Sequence, residues 1–169
     1  MELLIIRHGR AEDRDIFAET GRPDGERPLV DEGFQRLRAA LPGLTHEQPT
    51  LDAIVTSPLT RARQTAEVIQ EGYPKARLLE FRELSPGVPP EMVTGRLERE
   101  HLVKGAVAVV GHEPDLGELA SWLLSGSLRG FVPMKKGAVC ALDVIPPLHP
   151  GCAMLRWSLS AAQLRRIGS

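Results

Sequence analysis

The chain has 169 residues with 21 basic and 22 acidic side chains, and its formal charge of -1 supplies no global field to draw it to nucleic acid or an anionic membrane. That length favours one domain over residues 1–169, with room for a sizeable core but not for two independent ones. Sixteen Gly and 14 Pro fall short of low-complexity composition, no apolar run reaches the ~20 residues of a membrane span, and Glu2 stands where a signal peptide would carry a basic region.

Residues 2–6 read as a buried strand that runs straight into Arg7-His8-Gly9-Arg10. The polar, Gly- and Pro-bearing stretch 10–30 reads as a long loop, a length that usually means function or disorder. Asp31 is placed to cap a helix whose apolar stripe is Phe34, Leu37, Leu41 and Leu44. A second strand spans Leu51 to Thr56. Ser57 then reads as an N-cap, with Pro58 at the first helical position and a stripe of Leu59, Ala62, Ala66 and Ile69.

Residues 76–80 suit a short third strand, 85–90 a loop, and 90–102 a weakly patterned helix. Gly105 to Val110 is a strong buried strand ending in Gly111-His112, and Pro114 opens a helix faced by Leu116, Leu119, Ala120, Leu123 and Leu124. Segments 137–145 and 152–159 predict a hairpin at a sheet edge, and Ser160 a capped terminal helix. This alternation predicts an α/β fold of three layers: a mostly parallel sheet, helices on both faces, and an antiparallel edge strand.

Cys140 and Cys152 lack zinc-ligand spacing and fall in apolar segments, as core thiols of a reducing compartment would. The chain holds no Asn and hence no N-glycosylation sequon, so the cytoplasm is the expected location. No sign of an extensive interface is visible, and a monomer is the expectation.

Three strands thus end in Arg7-His8, in Ser57 with Arg61 behind it, and in His112. In a parallel sheet such ends share one edge, where ligands bind. Arg61 lies in the first turn of its helix, from which its side chain reaches back over that edge. A strand-end His is ordinarily a satisfied structural residue. Two of them among arginines point instead to an oxyanion, whereas a divalent cation would be repelled. His46, His101 and His149 read as solvated. No Gly-x-Ser-x-Gly, Walker A or Gly-x-Gly-x-x-Gly pattern occurs. An arginine-rich pocket with a neutral imidazole can accept a phosphoryl group on nitrogen while guanidinium groups hold its oxygens.

At these residues the chain resembles the histidine phosphatase superfamily, and within it the SixA-type phosphohistidine phosphatases. The pieces are Arg7-His8-Gly9 with Ala11, Arg27-Pro28-Leu29 leading to Gly33, Ser57-Pro58 with Arg61-Ala62 and Gln64-Thr65, Glu83-Leu84-Ser85-Pro86, and Gly111-His112, in family order. The resemblance implies a phosphoglycerate-mutase-like fold and a metal-independent phosphatase with no cofactor. It makes His8 the nucleophile and transient phosphohistidine, with Arg7, Arg61 and His112 on the phosphoryl oxygens and Gly9, Ser57 and Arg27 as substrate-binding candidates. Glu83 is the candidate acid by position, or equally a salt-bridged loop residue. Larger mutase relatives carry an Asn after the motif and an insertion that this chain lacks. A free imidazole, with a pKa of about 6.5, leaves more easily than an alkoxide, so a site without a strong acid favours phosphohistidine. The implied partner is a phosphohistidine-bearing signalling protein or a small phosphorylated metabolite. A small-molecule phosphomonoesterase of the same superfamily and a non-catalytic phosphate- or phosphoprotein-binding module are the alternatives.

Overall fold

A computed structural model describes residues 1–169. Six strands form one sheet: β1 (Glu2–Arg7), β2 (Ala53–Thr56), β3 (Arg77–Glu80), β4 (Ala106–Gly111), β5 (Val139–Val144) and β6 (Ala153–Leu159), in the order β3-β2-β4-β1-β5-β6. The first four in that order pair in parallel, while β5 runs antiparallel to both β1 and β6. The continuous apolar runs of β1, β2 and β4 are buried throughout because helices cover both faces.

On one face Leu4, Ile6 and Ile54 pack under α2 (Asp31–Glu47), α3 (Thr60–Gly72) and α6 (Ala161–Ile167), through Leu44, Ala66 and Leu164 among others. On the other, Leu3, Ile5 and Val109 meet Val93 and Leu97 of α4 (Pro90–Arg99) and Leu116, Leu119 and Leu123 of α5 (Asp115–Ser125). The three layers, the mostly parallel sheet and the antiparallel hairpin edge are as the alternation predicts.

Three local expectations change. The stretch 10–30 is an ordered structure: α1 (Arg14–Ala18) is capped by Asp13, whose carboxylate accepts the Asp15 and Ile16 N–H groups, and a 3-10 turn follows at Asp24–Glu26. A bridge between Ala11 and Leu29 closes its base, and buried Phe17 anchors it. Helix α2 begins with Asp31 inside its first turn rather than as its cap, since Val30 occupies that position without a side-chain bond. Helix α3 starts at Thr60 with Leu59 at its N-cap. Ser57 therefore does not cap it as expected; its hydroxyl is shared between the Leu59 N–H and a histidine. Both cysteines are free and buried, and no helix is long and apolar enough to cross a membrane.

Candidate active site

Register brings the two histidines together. Arg7 of β1 pairs with Gly111 of β4, so the residues that follow, His8 and His112, leave adjacent strands side by side. Their ring centroids are 5.2 Å apart and both side chains are buried. Ser57, leaving β2 beside β4, reaches His112 Nε2 with its hydroxyl at 2.9 Å.

His8 Nδ1 lies 2.7 Å from the Gly9 carbonyl. A carbonyl only accepts, which assigns the ring proton to Nδ1 and leaves a lone pair on Nε2. Burial lowers the His8 pKa to about 4, reinforced by the neighbouring charges of Arg61 and Arg7 against the Gly9 bond. Burial with the Arg61 charge lowers His112 to about 3. Both rings are thus neutral near pH 7.

Gly9 is held from below: its N–H donates to Thr65 Oγ1, which itself donates to the Arg61 carbonyl. A side chain on Gly9 would meet Leu37 at 2.7 Å. One helix also grips the 11–29 segment, because Gln64 Oε1 accepts the Leu29 N–H. Helix α3 therefore ties the strand end and that segment to Arg61.

Arginines surround the imidazoles. Arg61, 3% exposed, donates through Nη1 to the Asp24 carbonyl at 2.9 Å and pairs through Nη2 with its carboxylate at 3.1 Å. Arg27 donates through Nε to the same carboxylate at 2.8 Å and through Nη1 to the Glu12 carbonyl. Arg7 Nη1 donates to the Met134 carbonyl. Three buried polar atoms here have no partner at all: Arg7 Nε, Arg61 Nε and His112 Nδ1. Unsatisfied buried polar atoms are costly, and the clustering of the two arginine N–H donors with His112 Nδ1 around His8 suits an incoming oxyanion. Asp24 occupies two of the arginines as a phosphate's oxygens would, and those arginines hold its carboxyl below the ordinary range against the opposing effect of burial.

His8, His112, Arg7, Arg27 and Arg61 line a cleft of about 440 Å³, together with Arg10, Arg14, Lys136, Glu12, Asp13 and Glu113. The structure therefore brings His8, Arg7, Arg61, His112 and Arg27 to one place, with Gly9 supporting His8 from outside the cleft and Ser57 supporting His112. Arg10 is ion-paired to Glu32 at the rim. Glu83 is elsewhere: it lies 3.7 Å from Arg99 and borders a separate small cavity behind His112. Glu12, Asp13 and Glu113 are the carboxylate-bearing residues that line the cleft, and burial raises the pKa of Glu113 against the Arg7 charge. The place of Glu113 directly after His112 was the available signal. Asp24 had none, because it depends on how the 3-10 turn folds over α3. His46, His101 and His149 are exposed. No group of three or more His, Cys, Asp or Glu side chains converges to hold a metal ion.

A sequence model of the histidine phosphatase superfamily (branch 1) matches residues 3–104. An uncharacterized protein of Picosynechococcus is 36% identical over 143 residues, 84% of either chain. Among solved structures, the protein histidine phosphatase SixA complexed with tungstate superposes with a TM-score of 0.80 at 24% identity, covering 97% of this chain and 99% of that one. The alpha-ribazole phosphatase from Shigella flexneri superposes at 0.67 and 18%, covering 95% and 97%.

Proposed function

Because this chain belongs to the histidine phosphatase superfamily, we propose that it hydrolyses phosphohistidine in a protein, with His8 as the nucleophile. The observation that carries the reading is the set of unpartnered buried nitrogens on Arg7, Arg61 and His112 around an imidazole whose Nε2 is free to attack.

In the first step His8 Nε2 forms a bond to phosphorus as the substrate's P–N bond breaks, and the departing imidazole takes up a proton from solvent. Arg7, Arg61 and His112 hold the phosphoryl oxygens, joined by Arg27 once Asp24 gives way. In the second step water attacks the same phosphorus, the bond to His8 breaks, and inorganic phosphate leaves. Catalysis here is positioning and charge stabilisation by groups already in place. Gly9 and Ser57 act indirectly, fixing the tautomer of His8 and the orientation of His112. The easily expelled imidazole and the overall likeness to SixA support phosphohistidine as substrate. Two free buried cysteines support a cytoplasmic setting.

One observation favours a second reading, a small-molecule phosphomonoesterase: Glu113 presents a carboxyl of raised pKa in the cleft, suited to protonating an alkoxide. The deciding experiment compares turnover of a phosphohistidine protein with a panel of phosphomonoesters, using the native chain and Glu113→Gln. The proposal predicts faster turnover of phosphohistidine, little affected by Glu113→Gln. Equal or faster turnover of monoesters, lost in Glu113→Gln, would overturn it in favour of the second reading.

A further inference from the structure

Beside the cleft lies a groove of about 700 Å³ that shares Arg7, Arg10 and Lys136 with it and runs on past Arg36 and Lys135 to Arg165. Six of its 13 lining residues are cationic and none carries a carboxylate. On a chain of net charge -1 such a concentration is local. Glu32 takes one hydrogen-bonding arm each of Arg10 and Arg36, whereas no ion pair in the structure involves Lys135, Lys136 or Arg165. Lys135 and Arg165 are exposed side chains. Partial desolvation, with the charges of Arg7, Arg27 and Arg10 beside it, lowers the Lys136 pKa.

We infer that this groove docks an acidic segment of the protein that carries the phosphoryl group, so that the substrate is recognised beyond its phosphohistidine. The inference rests on the phosphohistidine reading for what occupies the cleft. Three features select an acidic polypeptide. The groove is larger than the cleft itself, and so exceeds what a single second phosphate needs. It is continuous with the cleft through three shared cations. Few of its lining residues are apolar, which suits brief, electrostatically steered docking rather than a permanent interface.

The test uses the full chain and a fluorescent Glu-rich peptide without phosphohistidine, read by anisotropy, beside turnover of p-nitrophenyl phosphate. The native protein is expected to bind the peptide, more weakly as salt rises. Lys135→Glu with Arg165→Glu should weaken binding about tenfold or more while p-nitrophenyl phosphate turnover is kept. Unchanged peptide binding in that double variant would overturn the inference. So would an RNA oligomer of equal charge that binds more tightly than the peptide, or a small bisphosphate whose turnover falls in the variant while peptide binding does not. Because the peptide carries no phosphoryl group, binding with no phosphohistidine turnover would count against the proposed reaction alone.

Discussion

His8 Nδ1 donates to the carbonyl of Gly9, its own neighbour, at 2.7 Å, and this one bond sets which nitrogen of the ring can react. The N–H of the same glycine donates to Thr65 Oγ1, which ties the ring and the turn to helix α3. Removal of the ring by His8→Ala should abolish an acid-labile phosphoenzyme trapped with radiolabelled substrate and lower kcat by about three orders of magnitude. Retained phosphoenzyme in that variant would assign the nucleophile elsewhere.

The lowered pKa values of His8 and His112 give a pH profile. With His8 titrating at about 4 and His112 at about 3, kcat/KM for an acid-stable phosphomonoester, corrected for the substrate's own ionisation at about 6, should stay level on the acid side of neutrality and fall only as pH drops through about 4, where Nε2 of the free enzyme takes a proton. A break near 6.5 that remains after the substrate's own ionisation is divided out would mean that His8 is not desolvated as described.

The same lowered values act on stability. Between the ordinary histidine value of 6.5 and about 4, the unfolded chain binds protons at these two positions that the folded chain refuses, so stability falls as pH drops through this window. Every tenfold loss of proton affinity on folding corresponds to about 1.4 kcal/mol, so the two histidines together amount to several kcal/mol. Thermal unfolding of the native chain and of His112→Gln between pH 7 and 4 should show a shallower loss in the variant.

Asp24 competes with the substrate's oxygens for Arg61 and Arg27. Asp24→Asn should therefore tighten inhibition by vanadate or inorganic phosphate, by up to about fivefold, since a half-exposed ion pair contributes no more than ~1 kcal/mol. Weaker inhibition would show instead that Asp24 positions the arginines productively.

Gly33 begins the helix under the strand end, and a Cβ there would collide with the Arg10 carbonyl. Gly33→Ala should cost about 1–3 kcal/mol of stability as an overpacked backbone contact, and lower activity by shifting the turn after His8. Chemical denaturation beside kcat/KM separates the two effects.

The layers, the strand ends and the helix faces were legible in the sequence because each rests on a local pattern: unbroken apolar runs for β1 and β4, and three-and-four spacing for α2, α3 and α5. His8, Arg7, Arg61 and His112 could be named because a parallel sheet puts its carboxyl ends on one edge. Their register could not, since the pairing of Arg7 with Gly111 depends on how two strands far apart in the chain align. Ser57 shows the limit of local rules: Ser-Pro reads as a cap, but a buried imidazole from another strand offered its hydroxyl a partner that solvent could not replace. Glu83 and Glu113 show it again. Sequence order favours the first, and tertiary folding turns it toward Arg99 while bringing the second into the cleft. Composition and periodicity determined the scaffold and the ligand-binding edge; long-range packing decided which charges meet there, because desolvation and pairing are properties of neighbours that the chain supplies only once folded.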